Sequence, residues 1–288
     1  MRAAAERLAG LFARPGLRLM PCCFDAHSAK LIERAGFDLT FMSGFAVSAA
    51  RLGAPDTGLI SYAEMLDQGR NICASVSIPV IGDADTGYGN AMNVKRTIAG
   101  YADAGFAAAM IEDQLAPKRC GHTRGKEVVD RAEALARIRA AVDARDEGAG
   151  ILILARTDAR ATRGLDEALW RAEAFADAGA DIIFVEAPET EAEMATVGKR
   201  IKKPLLANML EEGTTPWLPP AQLEALGFKI AAYPLTLLSA ATVAMESVLG
   251  DLKAGRKPQA IKSFKDLRAI VGFDDYDAEA ARYVRRES

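Results

Sequence analysis

Two aspartates that lie two positions apart are the first side chains in this sequence that could carry chemistry. Asp83 and Asp85 occur in IPVIGDADTG, directly after a short apolar run. On an extended strand end they would point to the same side, where two carboxylates repel each other unless a cation or a proton intervenes. With Asp56 and Glu112 nearby on adjacent strands, four carboxylates would converge. Oxygen ligands of this kind suit Mg2+ or Mn2+ with several retained waters.

A second reactive segment is EDQLAPKRCGHTRGK, residues 112–126, which contains Cys120 and His122. The chain has only four cysteines and two histidines, which do not form a zinc site at the usual ligand spacing. Four cations flank the thiol: Lys118, Arg119, Arg124 and Lys126. Because nearby positive charge lowers the pKa of a thiol, Cys120 could act as a nucleophile or as a general acid and base. A proton donor or acceptor on a loop that closes over a metal-bound anion fits better, with Gly121 and Gly125 as hinges.

Composition bounds the class of protein. The 288 residues are 50% apolar and 26% charged, with a formal net charge of −3. Basic residues alternate with acidic ones, which argues against nucleic acid as a partner, and no apolar run reaches the roughly 20 residues of a membrane span. The first residues are typical of an amphipathic helix and not of a signal peptide. Cys22, Cys23 and Cys73 are interpreted as buried and inert, and the protein as reduced and cytoplasmic.

A repeated unit of the sequence predicts the elements that position these side chains. Helical stretches end at Gly36, Gly105, Gly179 and Gly227, and an apolar run follows each, as expected where glycine ends a helix in the left-handed conformation. Four further runs lie at residues 18–25, 78–87, 150–158 and 203–209. Since the runs do not alternate with polar residues, they indicate parallel strands covered on both faces. Eight such units in about 250 residues predict a (β/α)8 TIM barrel. A doubly wound sheet is the rival, but no Gly-x-Gly-x-x-Gly follows the first strand.

Chemistry in such a barrel gathers where the strands end. Polar residues stand at these positions: Ser43, Asp83, Asp85, Glu112, Asp113, Arg156, Asp158, Glu186, Asn208 and Tyr233. No linker divides the chain, so residues 1–288 are predicted to form one domain. Residues 235–288 exceed a single closing helix and form a C-terminal helical extension, which either packs on its own barrel or contacts another subunit.

At KRCGH the sequence resembles the isocitrate lyase and phosphoenolpyruvate mutase superfamily. It looks most like the short methylisocitrate lyase, dimethylmalate lyase and petal-death-type members. The similar stretches run in order from about residue 42 to 236: MSGFAVSAARLGAPDTGLIS, IPVIGDADTGYGN, IEDQLAPKRCGHTRGK, LARTDAR, FVEAP, ANMLEEGTTP and AAYPLT.

The resemblance implies roles for individual residues. It implies Mg2+, or Mn2+, on Asp83 and Asp85, with Asp56 and Glu112 bound through water. It implies that the substrate's 2-oxo-carboxylate end contacts the metal, Ser43, Gly44 and Arg156, and that Glu186, Asn208 and Thr215 line the pocket. Cys120 corresponds to the family's general acid and base, with Gly121 and His122 in the same gating loop. The family also exchanges its last helix between subunits, so the resemblance implies a homo-oligomer, a dimer of dimers, with residues 235–288 exchanged.

Departures from the family pattern narrow the expected substrate. Phe45 and Ser239 stand where methylisocitrate lyases have glycine and arginine, and Phe264 replaces a second arginine. Losing two cations and gaining an aromatic ring suits a dicarboxylate with a small apolar substituent. Pro234 stands where oxaloacetate hydrolases carry serine.

The expected activity is therefore Mg2+-dependent cleavage of a carbon–carbon bond in a 2-alkylmalate or dimethylmalate, which yields a 2-oxo acid such as pyruvate and a carboxylate. The alternatives are a methylisocitrate lyase and an oxaloacetate hydrolase or decarboxylase. KRCGH argues against a phosphonopyruvate-type mutase or hydrolase. A binding barrel without activity is the alternative from another class, since fold alone does not prove catalysis.

Overall fold

The computed structural model describes residues 1–119 and 125–283. The chain divides into two compact units, Met1–Leu237 and Leu238–Ser288. The first unit contains every β-strand of the described ranges, so it holds the scaffold on which the predicted site depends.

Eight parallel strands form a closed barrel in the first unit. They are β1 (Arg18–Cys23), β2 (Thr40–Met42), β3 (Val80–Asp83), β4 (Ala108–Glu112), β5 (Leu152–Thr157), β6 (Ile182–Val185), β7 (Leu205–Asn208) and β8 (Ile230–Tyr233). Each strand pairs with the next along the chain, and β8 pairs with β1. The register of β4 and β5 sets Glu112 directly beside Arg156. The predicted (β/α)8 TIM barrel is confirmed.

Helices connect the strands and cover the barrel. In the first unit they are α1 (Ala3–Ala13), α2 (Ala26–Arg34), α3 (Gly44–Val47), α4 (Tyr62–Ser75), α5 (Ala91–Ala104), α6 (Arg131–Ala144), α7 (Ala159–Arg163), α8 (Leu165–Asp177), α9 (Glu191–Arg200) and α10 (Pro220–Ala225). Short polar side chains begin several of them: the Asp25 carboxylate accepts from the Ser28 amide, and the Asn90 side chain caps α5 in the same way. Gly105 ends α5 at φ 100°, in the left-handed region that the sequence predicted.

Two apolar clusters stabilise the barrel unit. One lies inside the barrel, where Met20, Leu39 and Ile81 pack with Leu8 of α1. The amide of Arg2 donates to the carbonyl of Gly150, just before β5, so α1 lies at the amino ends of the strands. The other cluster packs the strands against the surrounding helices. Because α1 covers one end of the interior, the carboxyl ends of the strands are left for the site.

The second unit is helical. Helix α11 (Thr236–Lys253) leads into it, and α12 (Phe264–Val271) and α13 (Phe273–Ala281) follow. Helix α11 buries none of its residues, and Val243, Leu249 and Leu252 are each more than half exposed. Within the described ranges, no helix combines the length and the apolar character that crossing a bilayer requires. The predicted exchange of residues 235–288 between subunits remains a prediction.

Candidate active site

The end of β3 carries the aspartate pair that the sequence singled out. Asp83 is the last residue of β3, and Asp85 follows with φ 49°, in the left-handed region. The amide of Asp85 donates to Asp83 Oδ1 at 3.0 Å. The expectation of an extended strand end was therefore wrong: a tight turn, closed by the first carboxylate, brings the two aspartates together.

Gly44, at the start of α3, fixes the position of Asp83 from the other side. Its amide donates to Asp83 Oδ2 at 3.2 Å. A Cβ atom at residue 44 would lie only 2.5 Å from that oxygen, so glycine is required by close approach. Gly44 thus acts on the carboxylate and is not part of the described cavity wall.

Lys118 lies between two of the predicted metal-site aspartates. Its Nζ is 2.6 Å from Oδ1 of Asp56 and 2.6 Å from Oδ1 of Asp85, and all three side chains are buried. Burial opposes the charged ammonium, but the attraction of Asp85 and the neighbouring carboxylates outweighs it and raises the pKa of Lys118 well above its usual value. Asp56 reaches this cluster from the loop before α4 and not from a strand end.

One ammonium does not neutralise this cluster. Burial, together with the charges of Asp85 and Asp56, raises the pKa of Asp83 to about 6 against the attraction of Lys118. Burial likewise raises the pKa of Glu112 well above its usual value against the attraction of Arg156. Besides burial, the charges of Asp85 and Asp56 oppose the ionisation of Asp83, and a bound cation would relieve this repulsion.

The donor set fits a Mg2+ ion. Glu112 Oε1 is buried and has no hydrogen-bond partner in the described part of the chain, so an oxygen is available for a metal-bound water. Among the described residues, no three carboxylate, imidazole or thiol side chains form a ready-made metal cage. Mg2+ does not need one, because it is commonly held by one or two carboxylates and keeps several waters. Asp83 and Asp85 would supply these ligands.

Arg156 lies beside the acidic cluster, at the end of β5. It donates from Nε to Asp158 Oδ2 at 2.8 Å and from Nη2 to Asp158 Oδ1 at 3.0 Å. Its Nη2 is also 3.1 Å from Glu186 Oε2, and its Nε is 3.4 Å from Glu112 Oε2. Three carboxylates therefore hold the guanidinium in place. Burial opposes the charge of Asp158, but Arg156 and Lys126 outweigh it and lower the pKa of that carboxyl.

A cavity at this end of the barrel collects most of the predicted site. Its polar and charged walls are Ser43, Asp56, Asp83, Glu112, Lys118, Arg119, Arg156, Glu186 and Asn208. Its apolar walls are Cys22, Phe41, Phe45, Met110, Phe184, Leu206, Leu210, Ala232, Pro234 and Leu235. Asn208 Nδ2 lies 3.5 Å from the carboxylate of Glu186. Asp85 and Thr215 are buried but do not line the cavity, and the Thr215 hydroxyl has no hydrogen-bond partner among the described residues.

Sequence reasoning identified Phe45 and Pro234 but missed the rest of the apolar wall. Phe41, Met110, Phe184 and Leu206 lie on strands whose residues are apolar on both faces, so inward and outward positions look alike in the sequence. A period of two, counted back from the polar residue at each strand end, would have selected Met110, Phe184 and Leu206 as inward-facing.

The loop that carries Cys120, Gly121 and His122 lies outside the described residues at these three positions. Its two stems are described. The amide of Leu115 donates to Glu127 O at 2.8 Å, and the amide of Val129 donates to Asp113 O at 3.0 Å. The side chain of Gln114 binds the backbone of Arg119 at both its amide and its carbonyl. The roles predicted for the three residues stay predictions.

Burial of the remaining cysteines agrees with the prediction at two of the three positions. Cys22 and Cys23 are buried, and Cys73 is partly buried. Burial raises the pKa of Cys23 and of Cys73 to about 12 and that of Cys22 well above its usual value. None of these three thiols would be a thiolate near neutral pH.

Comparison with known proteins places this arrangement in a family. Residues 8–253 match the family model described as phosphoenolpyruvate phosphomutase. The chain belongs to the phosphoenolpyruvate mutase family. Members of this family include 2,3-dimethylmalate lyase of Eubacterium barkeri, which is 46% identical over 249 residues, 86% of this chain and 86% of that protein. They also include 2-methylisocitrate lyase of Bacillus subtilis (strain 168), which is 38% identical over 285 residues, 96% and 93% of the two chains.

Solved structures of family members agree with the barrel and its C-terminal helices. Oxaloacetate acetylhydrolase in complex with 3,3-difluorooxalacetate superposes with a TM-score of 0.93 at 32% identity, over 99% of this chain and 98% of that chain. Phosphonopyruvate hydrolase in complex with oxalate and Mg2+ superposes with a TM-score of 0.86 at 30% identity, over 99% and 100%. As a member of the phosphoenolpyruvate mutase and isocitrate lyase superfamily, this protein is an enzyme of that lyase kind, and the predicted family is confirmed.

Proposed function

We propose that this enzyme is a Mg2+-dependent lyase that cleaves the C2–C3 bond of a 2-alkylmalate or 2,3-dimethylmalate. One observation carries the proposal: a single cavity combines the acidic cluster, the fixed guanidinium of Arg156 and an apolar wall that includes Phe45, Leu210 and Pro234. A dicarboxylate with a small alkyl substituent matches all three parts. The identity to 2,3-dimethylmalate lyase supports the same substrate class.

The residues of the chain would bind and orient such a substrate. Arg156 would bind the substrate carboxylate. Three protein carboxylates already fix the orientation of its guanidinium, so little conformational freedom is lost when the substrate binds. Asp83 and Asp85 would hold Mg2+, which supplies a lowered hydroxyl pKa and charge stabilisation at the oxygens. The complex of phosphonopyruvate hydrolase with Mg2+ supports this metal.

The bond changes balance without an oxidant. The substrate hydroxyl loses its proton to solvent water, and the C2–O bond becomes a carbonyl as the C2–C3 bond breaks. The electron pair of that bond moves onto C3 and its carboxylate. Cys120 donates its thiol proton to C3, which completes the carboxylate product. Preorganised cations and hydrogen-bond donors stabilise the developing charge, with each well-placed donor worth about 3–4 kcal/mol.

Among the described residues, the cavity offers few cations for a third substrate carboxylate, since Lys118 is already paired with Asp56 and Asp85. The cations of the described cavity wall are Lys118, Arg119 and Arg156. Arg160, which follows β5, donates to Glu193 at 2.6 and 2.9 Å and to Glu189 at 2.9 Å and does not line the cavity. This supports a dicarboxylate over methylisocitrate.

A panel of substrates tests the proposal. 2-Ethylmalate, 2,3-dimethylmalate, methylisocitrate, oxaloacetate and phosphonopyruvate would be incubated with enzyme and Mg2+. The 2-oxo acid released from the three hydroxy acids would be followed with a coupled dehydrogenase, and the products of oxaloacetate and phosphonopyruvate by NMR. We expect the alkylated malates to give the highest kcat/KM and EDTA to abolish turnover. A higher kcat/KM for methylisocitrate or oxaloacetate would replace the proposal with that activity. No turnover of any of them, without Mg2+ binding, would indicate a binding protein.

We also propose that the enzyme is a dimer of dimers that exchanges its C-terminal helical extension, residues 235–288. The family resemblance supports this, and so do the exposed apolar side chains Val243, Leu249 and Leu252 of α11, because large apolar side chains exposed together mark interaction surfaces.

A further inference from the structure

The loop that carries Cys120 returns to the barrel beside Asp158. Lys126, in the returning stem, donates from Nζ to Asp158 Oδ1 at 2.8 Å. The Lys126 side chain is 4% exposed and the Asp158 side chain is fully buried. The same oxygen accepts from Arg156 Nη2, and the other oxygen accepts from Arg156 Nε. One carboxylate therefore joins the loop stem to the guanidinium in the cavity wall.

The carboxylate of Asp113 fixes the backbone around Asp158. Its amide donates to Asp113 Oδ1 at 2.9 Å, and the hydroxyl of Thr157 donates to Asp113 Oδ2 at 2.7 Å. Arg171, which is 1% exposed, donates to that same Oδ2 at 3.0 Å and to the carbonyl of Val129 at 2.9 Å. The base of the loop and the end of β5 thus rest on one buried ion-pair network.

We infer that Asp158 is a positioning residue that orients Arg156 toward the substrate and, through Lys126, fixes the returning stem of the loop beside it. Asp158 does not line the cavity, so it acts through these two cations. If Asp158 lost its charge, only Glu186 and Glu112 would hold Arg156, at 3.1 and 3.4 Å. The guanidinium would then turn away from the substrate carboxylate. The inference rests on the proposed function for the part that concerns turnover.

Asp158→Asn is the direct test, because it keeps the shape of the side chain and removes the charge. We expect KM for the preferred alkylmalate, and Kd for oxalate in the presence of Mg2+, to rise by about 10- to 100-fold, the usual effect of a small misplacement of a binding group. The Kd for Mg2+ alone should stay within about twofold, because Asp158 does not contact Asp83 or Asp85. Oxalate binding would be measured by calorimetry, so this arm does not require turnover.

Asp181→Asn is the matched control. Asp181 Oδ2 pairs with Arg145 at 2.9 Å and accepts from the amide of Ile153 at 2.8 Å, near the start of β5. Removing the charge of Asp181 should lower the melting temperature about as much as Asp158→Asn does, and it should leave KM and oxalate binding unchanged. Equal effects of the two substitutions on melting temperature, with no separation in KM or oxalate Kd, would reduce Asp158 to a structural role and overturn the inference.

Limited proteolysis needs no ligand and tests the contact between Lys126 of the loop stem and Asp158. Trypsin cleavage after Arg119 or Arg124 would be followed by mass spectrometry in the native enzyme. We expect Asp158→Asn and Lys126→Met to accelerate this cleavage at least severalfold, and Lys126→Arg to restore the wild-type rate. Wild-type cleavage rates in Lys126→Met would overturn the link even if Asp158→Asn fails to fold. Failure of all substrates in the panel, with these results intact, would reject the proposed function alone.

Discussion

Gly44 lies so close to Asp83 that we expect a methyl group at residue 44 to weaken metal binding. The Cβ atom of Gly44→Ala would stand 2.5 Å from Asp83 Oδ2 and would also disturb the amide that donates to this oxygen. We expect Gly44→Ala to weaken Mn2+ or Mg2+ binding by at least about tenfold, since ligand geometry sets affinity for these ions. Electron paramagnetic resonance of free Mn2+ measures it.

Gly10→Ala is the control for this substitution. Nothing lies within 4 Å of a Cβ atom at residue 10, in the middle of α1. Alanine should therefore stabilise the helix by about 0.5–1 kcal/mol without altering metal affinity. Unchanged Mn2+ binding in Gly44→Ala would remove Asp83 from the metal site.

Cys120 should be the one thiol that reacts readily among the four in the chain. Burial raises the pKa of Cys22, Cys23 and Cys73, whereas Cys120 stands between cationic residues in the sequence. Iodoacetamide at neutral pH should alkylate Cys120 alone, inactivate the enzyme and be blocked by substrate with Mg2+. Peptide mass spectrometry identifies the site.

Cys120→Ser separates a chemical role from reactivity. It should lower kcat by about 10²- to 10⁴-fold, the usual contribution of a general acid, with a smaller effect on KM and none on Mg2+ affinity. Wild-type turnover in this variant would leave the loop as a lid without a proton donor.

At the scale of single elements, α8 is tied to α6 by a carboxylate whose charge should make stability depend on pH. Glu167, in the first turn of α8, accepts from Arg131 at 2.6 Å and from Arg171 at 2.8 Å. The hydrogen bonds from Arg131, together with those from Arg171, lower its pKa from an ordinary value of 4.5 to about 2. A lowered folded-state pKa means that this stabilisation is complete above pH 4.5 and declines as the pH falls toward 2.

We therefore expect Glu167→Gln to lower the free energy of unfolding by about 1–2 kcal/mol at pH 7, a range already reduced for the solvent around Arg131. The difference from wild type should shrink as the pH falls below 4.5. Urea unfolding between pH 3 and 7 measures it. Glu173→Gln, which breaks an exposed pair with Arg200, should cost less at every pH, and equal pH-independent losses in both variants would contradict the assignment.

The sequence predicted the strands because each follows a glycine or proline boundary and is mostly apolar before its polar end. It could not show that Lys118 bridges Asp56 and Asp85, because that contact depends on how a loop after β4 folds over a loop after β2. Arg171 is the clearest miss: an arginine within a helix resembles a solvated residue, yet Arg171 is 1% exposed. Its burial depends on Asp113, 58 positions away, and no local pattern reports such a pair.

At the scale of the whole molecule, we propose a dimer of dimers. The exposed apolar side chains of α11 indicate where a substitution should disrupt the contact between subunits. A charge at Leu249, which is 62% exposed on α11, should be tolerated by an isolated chain but not in a subunit contact. We expect Leu249→Glu to shift the mass measured by light scattering from four chains to fewer, and Lys253→Glu, at the end of the same helix, to have less effect. A monomeric wild-type enzyme would contradict the exchange.

Product analysis in D2O tests the central claim most directly. Enzyme, Mg2+ and 2,3-dimethylmalate would be followed by NMR, with an EDTA-treated sample beside it. Cleavage of the C2–C3 bond, with protonation of C3, predicts pyruvate and singly deuterated propionate in equal amounts, and neither product in EDTA. An unchanged substrate in the presence of Mg2+, or cleavage at the same rate in EDTA, would contradict the account.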